Sequence, residues 1–438
     1  MDKKFNLTFV GAGPATMFGV LTLIRRGYTG DICIIEKGKS LKKRSTTEVI
    51  SGSFGAGAFS DSKLSSALDV GGIIPGLTQF SLTKYETELI NILNEFKAQT
   101  KYPEPLSWDG TEDYDTNGSG LSWNTHRTCH VGTEAGRLIY GKMEDFILSQ
   151  PNIVVLFNNE VLDIDKEDDY ILHLNNKSSV VSERVILATG QKNILPSQII
   201  EKFKLRSKPR AFQVGVRVED IINPTYEEII KANYDFKFVK SYNFDNNINI
   251  RVRTFCCNSG NAHTVAEKAA EGFICFNGHA FKNPDPNNHT VNYGIMCEVE
   301  GLEAFESKEQ QIEIMKKINA KEDWRSDNFY NDHKIGEVVL PKRKLLAGFA
   351  HLENYYPDEV IYALEDFTKC LNQVVSLEKA HYLYPEVKLS GKTPTLNYRT
   401  FETTLKGLYM IGDCSCTRGI AKSSYTGYRF AKSFLKGE

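Results

Sequence analysis

The chain has 438 residues, of which 41% are hydrophobic and 25% charged, and its formal net charge is −2 at pH 7. This length exceeds that of most single domains, and the composition is typical of a soluble globular protein, so we expect two or more domains. The near-neutral charge argues against a general attraction to nucleic acid or to an anionic membrane. Nine cysteines without framework spacing indicate a reducing cytoplasm, and no cysteine or histidine cluster predicts a metal site.

Residues 5–36 predict a strand, a glycine turn, a helix and a second strand that ends in an acidic residue. In this order Gly11 allows a tight turn, and Gly13 lets the backbone approach a pyrophosphate. The N–H groups at the start of the helix favour that anion, and Glu36 can hold a ribose diol. Thr16 replaces the usual third small residue, so we expect looser packing of helix against strand there.

Two loops follow the predicted strand–helix–strand segment of residues 5–36. Residues 37–44 are locally basic, which is more typical of a solvated loop than of a binding patch. Residues 51–64 are rich in glycine and alanine, which let backbone N–H groups reach a phosphate or a ring edge. Ser60 and Lys63 could donate hydrogen bonds there, although a glycine-rich loop with a surface lysine is the plainer interpretation.

The middle of the chain alternates helical and strand patterns. Apolar residues at three- and four-residue steps predict an amphipathic helix over residues 79–97. That face comprises Phe80, Leu82, Tyr85, Leu89, Ile92, Leu93 and Phe96. Residues 100–124 are predicted to form a long loop, either capping a site or disordered. A helix over 136–148 and strands over 152–157 and 160–164 follow.

Two further apolar segments end in small residues. Residues 184–190 predict a buried strand that ends at Thr189 and Gly190, and residues 403–413 predict one that ends at Gly412 and Asp413. If both strands join those of residues 5–36 in one sheet, the domain that they form is discontinuous. From residue 205 to 385 the pattern changes to alternating, antiparallel strands such as 212–218 and 248–253, with a helix over 357–375.

Together, residues 5–36, 184–190 and 403–413 resemble the two-dinucleotide-binding-domain flavoproteins, the glutathione-reductase-like superfamily. Residues 51–64 look like the signature of an uncharacterised family of FAD-dependent dehydrogenases within that group. Residues 130–133, 215–219 and 253–257 support the same likeness, which covers nearly the whole chain. Ser62 departs from the family's usual glycine, and Cys256 and Cys257 lie in a divergent stretch.

The resemblance implies an α/β fold: a discontinuous Rossmann-like FAD-binding domain, residues 1–204 and 386–438, with an inserted α+β substrate domain, residues 205–385, containing antiparallel strands. It implies FAD as the cofactor and a helix that begins near Gly419 and points its N-terminus at the flavin. A residue at the position of Val161 would meet the adenine through its backbone. The implied cofactor-binding residues are Gly11, Gly13, Pro14, Ala15, Thr16, Glu36, Lys37, Ser60, Lys63, Val161, Thr189, Gly190, Gly412, Asp413, Gly419, Ile420 and Ala421.

Two pairs of neighbouring cysteines are candidate redox pairs, Cys256 with Cys257 and Cys414 with Cys416. Neighbouring cysteines are more often packed as reduced thiols, so that is the plainer interpretation of both pairs.

The expected activity is an FAD-dependent oxidoreductase that transfers a hydride between FAD and a small organic substrate bound between the domains. Lys63 and His130 are the candidate catalytic residues: Lys63 to stabilise anionic reduced flavin, and His130 as a base or, alternatively, a structural histidine. There is no second glycine turn for NAD(P)H, so the electron donor or acceptor is left open. The alternatives are a flavin monooxygenase using external NAD(P)H and O₂, and a flavoprotein with structural FAD that acts in binding. Neither nucleic acid nor membrane is an expected partner.

Overall fold

The computed structural model describes residues 3–45, 51–59, 61–190, 193–209, 211–260, 262–268, 273–280, 289–302, 308–320, 338–339, 352–388 and 392–437. The helices are α1 (Pro14–Arg25), α2 (Gly55–Phe59), α3 (Gln79–Lys97), α4 (Thr133–Leu148), α5 (Leu195–Lys202), α6 (Pro224–Ala232), α7 (Lys308–Ala320), α8 (Asp358–Val374) and α9 (Ile420–Lys436). The strands from β1 to β10 are β1 (Lys4–Val10), β2 (Ile32–Glu36), β3 (Leu64–Ser66), β4 (Ser122–Trp123), β5 (Arg127–Cys129), β6 (Ile153–Phe157), β7 (Val161–Lys166), β8 (Tyr170–Leu174), β9 (Ser179–Leu187) and β10 (Ser207–Pro209). The remaining strands are β11 (Phe212–Ile221), β12 (Phe238–Asn243), β13 (Asn249–Gly260), β14 (Ala262–Lys268), β15 (Ile274–Ala280), β16 (Thr290–Glu300), β17 (Val338–Val339), β18 (His381–Lys388), β19 (Lys392–Pro394) and β20 (Leu408–Met410).

The chain divides into two compact units. Unit 1 contains residues 1–107, 129–208 and 392–438, and unit 2 contains residues 108–128 and 209–391. The sequence-based division instead placed residues 108–128 in the first domain. Among the helices within the described ranges, none is long and apolar enough to cross a membrane.

Unit 1 is built on one sheet with the strand order β6-β2-β1-β9-β8-β7, in which β20 also pairs with β9. Strands β6, β2, β1, β9 and β20 run parallel, while β7 and β8 add an antiparallel edge. The three segments that suggested a shared sheet therefore lie side by side. The apolar face of α9 covers this sheet, because Phe430 packs edge-on against Phe9 of β1 and Tyr409 of β20, with ring centroids 5.8 and 5.0 Å apart.

Unit 2 is built on an antiparallel sheet with the strand order β18-β11-β16-β13-β12-β4. The antiparallel pattern predicted for residues 212–218 and 248–253 is confirmed by β11 and β13. The helix predicted over 357–375 is α8, and five of its apolar residues, spaced three or four apart, are buried: Val360, Leu364, Phe367, Leu371 and Val374. A second sheet has the order β15-β14-β17.

Three predicted elements need correction. Helix α3 has the predicted bounds, but Phe80 is 79% exposed and does not belong to its buried face. The strand predicted over 403–413 is shorter, since only Leu408–Met410 pair and Gly412–Cys414 form a 3₁₀ turn. The loop predicted over 100–124 contains the short strand β4, which pairs with β12.

Candidate functional site

The carboxyl ends of four parallel strands meet at one edge of the unit 1 sheet. The glycine turn of residues 11–13 follows β1, and Glu36 ends β2. Residues 188–190 follow β9, and residues 412–413 follow β20. The chain passes from β1 to β2 on one side, while β9 flanks β1 on the other, so this edge is a topological switch point. In parallel α/β sheets, ligands bind at such a point.

The first glycine of the turn has no room for a side chain. Gly11 has φ +97°, and a Cβ there would lie 2.5 Å from the carbonyl oxygen of Ala188. Its N–H donates to the oxygen of Ile35 at 2.7 Å, which ties the turn to β2. Gly13 differs: its φ is −74°, and a Cβ there would meet only the Ala188 oxygen, at 3.9 Å. Gly11 is therefore required by the fold, whereas Gly13 leaves open space beside the turn.

Thr16 closes the turn from inside α1. Its side chain is fully buried, and its hydroxyl donates to the carbonyl oxygen of Gly11 at 2.6 Å. The looser packing that we expected at this residue is not observed, because the hydroxyl makes a short contact with the turn that a glycine or alanine could not make.

Glu36 is buried and binds backbone rather than solvent. Its Oε2 accepts from the N–H of Ala12 at 2.8 Å, and its Oε1 accepts from Gly38 at 2.8 Å and Gly52 at 3.0 Å. A carboxylate has about four acceptor positions, so these three bonds leave roughly one position for a ligand. Glu36 thus joins the glycine turn to the next two loops, which the strand-end position alone did not reveal.

Two helices begin at this edge without a capping side chain. The N-cap residues of α1 and α9 are Gly13 and Gly419, and within the described residues no side chain caps either helix. Neither first turn contains an acidic residue. Unsatisfied N–H groups and the positive end of the helix dipole make such termini favourable for an anion.

The two helix termini are held close together by small residues. A Cβ on Gly412, which has φ +70°, would lie 2.9 Å from the Cβ of Ala15 in α1. One on Gly427 of α9 would lie 1.8 Å from the carbonyl oxygen of Ala15 and 3.1 Å from the nitrogen of Gly19. Pro14, Ala15, Ile420 and Ala421 accordingly lie in the first turns of two adjacent helices.

The predicted signature segment lies against both termini. A Cβ on Gly55 would be 3.5 Å from Cδ of Pro14, and one on Gly57 would be 3.2 Å from Cγ1 of Ile420. Phe54 adds a backbone bond, since its N–H donates to the Ala12 oxygen at 2.7 Å. Helix α2 therefore lies against the starts of both α1 and α9.

Residue 62 is strained at the position where the resembled family has glycine. Ser62 is fully buried with φ +56°, in the left-handed region that glycine occupies most easily. Its side chain packs against Gly136 of α4, where a Cβ would lie 1.9 Å from the Ser62 Oγ. The serine and Gly136 thus form a matched pair, which explains how the departure is accommodated.

The two candidate catalytic residues come from neighbouring segments. The side chain of Lys63 is 6% exposed, and its ammonium lies 3.6 Å from the Asp61 carboxylate, so it is not a surface lysine. The Gly132 N–H donates to the Asp61 carbonyl oxygen at 3.0 Å, which places the segment that carries His130 beside the segment that carries Lys63. His130 is half-buried.

The remaining predicted residues are distributed along the same edge or near it. The Thr189 hydroxyl is buried and has no hydrogen-bond partner among the residues that the structure describes, while a Cβ on Gly190 would meet nothing within 4 Å.

Asp413 accepts a hydrogen bond from the Ser423 hydroxyl in α9. Val161 is buried at the start of β7, and the N–H of Asn159, two residues earlier, donates to the backbone carbonyl oxygen of Glu36 at 3.1 Å. Lys37 lies 4.0 Å from Glu160. Ser60 lies outside the described residues.

The sequence did not predict the burial of two cationic side chains, those of Arg44 and Lys422. Arg44 was assigned to a solvated basic loop but is 8% exposed and donates to the carbonyl oxygens of Ser53 at 2.8 Å and Gly55 at 3.0 Å. Lys422, in the first turn of α9, is 1% exposed, and burial lowers its pKa to about 8. A lysine at a helix N-terminus is unfavourable with respect to the dipole, and that mismatch was the available signal.

One member of each candidate redox pair packs as a thiol. The Cys414 thiol donates to the oxygens of Ile411 at 3.2 Å and Leu187 at 3.3 Å. The Cys257 thiol donates to the Phe236 oxygen at 3.0 Å. Both thiols are engaged with buried backbone carbonyls.

No family model matches the chain. A protein of Clostridium beijerinckii, described only as uncharacterized, is 22% identical over 405 residues, covering 83% of this chain and 67% of its own length. Similar solved structures include the flavin-dependent halogenase CmlS, with a TM-score of 0.47, 12% identity, and coverage of 99% of this chain. The chain spans only 58% of the length of that halogenase.

Two other solved structures are similar over most of both chains. The p-nitrophenol 4-monooxygenase PnpA of Pseudomonas putida has a TM-score of 0.44 and 8% identity, covering 100% of this chain and 80% of its own. A flavoprotein/dehydrogenase of Cytophaga hutchinsonii has a TM-score of 0.41 and 12% identity, with coverage of 99% and 79%. With TM-scores below 0.5, these likenesses do not establish a shared family or activity.

Proposed function

We propose that this chain is an FAD-dependent oxidoreductase that exchanges a hydride with a small organic substrate. The observation that carries the proposal is the pair of adjacent, uncapped helix N-termini, α1 and α9, at the switch point of a parallel sheet. A dinucleotide with a flavin presents two regions of negative charge, the pyrophosphate and the reduced ring, and each can use one terminus.

The residues at the edge fit such a group. The turn at Gly11 has the positive φ that it requires, and the open side of Gly13 lets a phosphate reach the N–H groups of α1. The unpartnered Thr189 hydroxyl, buried within the described part of the unit, offers a hydrogen bond to a ligand in the same place. Gly419, Ile420 and Ala421 would present their backbone to the flavin, and Asp413 and Gly412 to its ribityl and phosphate part.

When bound, FAD supplies the hydride acceptor or donor. The Lys63 ammonium, held beside Asp61, would place positive charge within the site, and His130 would accept or return a proton of the substrate. Glu36 would orient the glycine turn through Ala12 and hold the ribose with its remaining acceptor capacity. Val161 and Lys37 would contact the adenine side.

The proposal is tested first by the cofactor content of the purified protein. We expect a yellow protein that releases FAD on denaturation, or an apo-protein that takes up one FAD per chain. A colourless protein that remains apo after incubation with FAD would overturn the proposal.

The class of reaction is tested by rapid mixing of the reduced, FAD-loaded protein with O₂ in the presence of candidate substrates. A dehydrogenase reoxidises without an oxygenated flavin spectrum, whereas a monooxygenase using external NAD(P)H and O₂ shows one. Bound FAD that neither dithionite nor light can reduce without unfolding the protein would favour a structural role in binding.

The role of Glu36 is tested with Glu36→Gln, which keeps the shape but replaces one carboxylate oxygen by an NH₂ group. Because three backbone N–H groups depend on this side chain, we expect a loss of about 1–3 kcal/mol in the free energy of unfolding together with weaker FAD retention. Glu183→Gln, on a half-exposed residue of β9, is the matched control. Because its ion pairs with Lys4 and Arg184 lie at the surface, it should change both quantities much less than Glu36→Gln.

A further inference from the structure

Lys422 occupies an unusual position in the first turn of α9. Its side chain is 1% exposed, and its ammonium donates to the carbonyl oxygens of Leu68 at 3.0 Å and Gly72 at 2.9 Å. Both acceptors belong to the loop that precedes α3, hundreds of residues earlier in the chain. The lysine therefore clamps this loop onto the start of the helix.

The loop fits the helix start without space for side chains. Gly71 and Gly72 have φ +77° and +88°, and Cβ atoms there would lie 2.6 Å from the Arg418 oxygen and 2.3 Å from the Cys416 oxygen. The N–H of Arg418 donates back to the Gly71 oxygen at 2.8 Å. Because the acceptors are fixed by these backbone contacts, the ammonium has a fixed position as well.

A cation at this position opposes stability in two ways. The N-terminus of α9 carries the positive end of the helix dipole, which disfavours an ammonium. Burial lowers the pKa of Lys422 to about 8, although the nearby Asp69, Cys416 and Glu86 favour the charged form. The hydrogen bonds to the two loop carbonyl oxygens offset part of that cost. The charge also lies at the helix terminus, where it can act on a negatively charged ligand.

We propose that Lys422 is a positioning residue that adds positive charge to the N-terminus of α9 and thereby favours the reduced, anionic form of the bound cofactor. This inference rests on the proposed function, which places the flavin at that terminus. The ammonium need not touch the cofactor, because charge acts through a buried, low-dielectric surrounding at longer range than in water. By linkage, negative charge on the cofactor must also favour protonation of Lys422.

The test compares the reduction potential of FAD-loaded wild type with three variants under anaerobic equilibration against reference dyes. Lys422→Met removes the charge, Lys422→Arg keeps it, and Lys436→Met removes a charge from the last turn of the same helix. At pH 7 we expect Lys422→Met to weaken binding of reduced relative to oxidised cofactor about tenfold, a shift of ~30 mV for a two-electron couple. Lys422→Arg and Lys436→Met should remain within about twofold of wild type.

The pH dependence provides a second readout that a purely structural role would not move. Above pH 8 the wild-type lysine loses its proton in the oxidised protein and regains it on reduction, so the potential falls more steeply with pH in that range. Both Lys422→Met and Lys422→Arg should lack this extra slope, since neither side chain titrates there. The arginine variant keeps this test available if the methionine variant does not fold.

The outcomes are separable. Variants at residue 422 that bind FAD with the wild-type potential and slope overturn the role of Lys422 and leave the proposed function standing. A wild type that takes up no FAD overturns both.

Discussion

The first turns of α1 and α9 in unit 1 differ from those of α6 and α8 in unit 2. In unit 2, α6 is capped by the Asn223 side chain, which accepts from the Tyr226 N–H at 3.0 Å, and α8 begins with Asp358 and Glu359. In unit 1, α1 and α9 begin at glycines, have no side-chain cap within the described residues and carry no acid in the first turn. Side-chain caps satisfy the orphan N–H groups of a helix from within the protein.

The difference is not a general property of unit 1. Helix α3 in the same unit is capped by Thr78, whose hydroxyl accepts from the Ser81 N–H at 3.2 Å. Other helices within the described residues also begin without a side-chain cap, namely α4 and α5 in unit 1 and α8 in unit 2. The features that α1 and α9 share are a glycine N-cap, a first turn without an acidic residue, and a start at the edge where four strand ends meet. The N–H groups of α1 and α9 are thus open to an anionic ligand, as the proposed function requires.

The largest expected change in the free energy of unfolding comes from a substitution in the glycine turn that precedes α1. Gly11→Ala should lower the free energy of unfolding by about 2–4 kcal/mol, because it combines a disfavoured φ with a clash against the Ala188 oxygen. Gly27→Ala is the matched control, since Gly27 also has a positive φ, +79°, but a Cβ placed there would meet nothing within 4 Å. It should cost only about 1 kcal/mol. Equal losses in urea denaturation would contradict the close approach at Gly11.

The next largest effect concerns the matched pair of Ser62 and Gly136. Gly136→Ala should cost about 2 kcal/mol, because the new methyl group overlaps the Ser62 Oγ. Adding Ser62→Gly removes both the overlap and the strained φ, so the double variant should recover most of the loss. A double-mutant cycle of unfolding free energies should give a coupling above about 1 kcal/mol. Additive effects would show that the two residues do not pack as described.

Removal of a helix cap in unit 2 should lower the free energy of unfolding without changing the affinity for FAD. Asn223→Ala leaves the Tyr226 N–H without its acceptor and should cost about 1 kcal/mol, measured by thermal or urea unfolding. FAD affinity should be unchanged, because this cap does not belong to the candidate site. A large loss of FAD affinity would break the proposed distinction between capped and uncapped helices.

The smallest effect tests a correction to the apolar pattern of α3. Phe80 was predicted in the buried face but is 79% exposed, so Phe80→Ser should change the free energy of unfolding by less than about 0.5 kcal/mol. Leu89→Ala, in the buried face of the same helix, should cost about 2–5 kcal/mol. A comparable loss at both positions would restore Phe80 to the core.

Local patterns predicted much of the fold because amphipathic periodicity reports which face a helix buries. The bounds of α3 match the predicted 79–97, and α8 differs from the predicted 357–375 by one residue at each end. Phe80 was wrongly predicted because it lies in the first turn of α3, where the apolar periodicity continues although this side chain is exposed.

The candidate site was predicted through its glycines and strand ends, which have local signatures. Two of the three hydrogen bonds of Glu36 come from the N–H groups of Gly38 and Gly52, in loops that fold back onto the end of β2. No local sequence pattern predicts this folding. The burial of Lys422 depends on a loop that is far away in sequence, so the unfavourable charge at the helix start is the signal that the sequence offers for it.

The most direct test of the central claim is the affinity of the apo-protein for FAD in wild type and Gly13→Ala, measured by calorimetric titration. Gly13 has an ordinary φ of −74° and open space at its Cβ position, so the variant should fold with near-wild-type stability. We expect one FAD per wild-type chain and at least about tenfold weaker binding by the variant, since the added methyl group blocks approach to the start of α1. Equal affinity in the two proteins, or no binding by wild type, would contradict it.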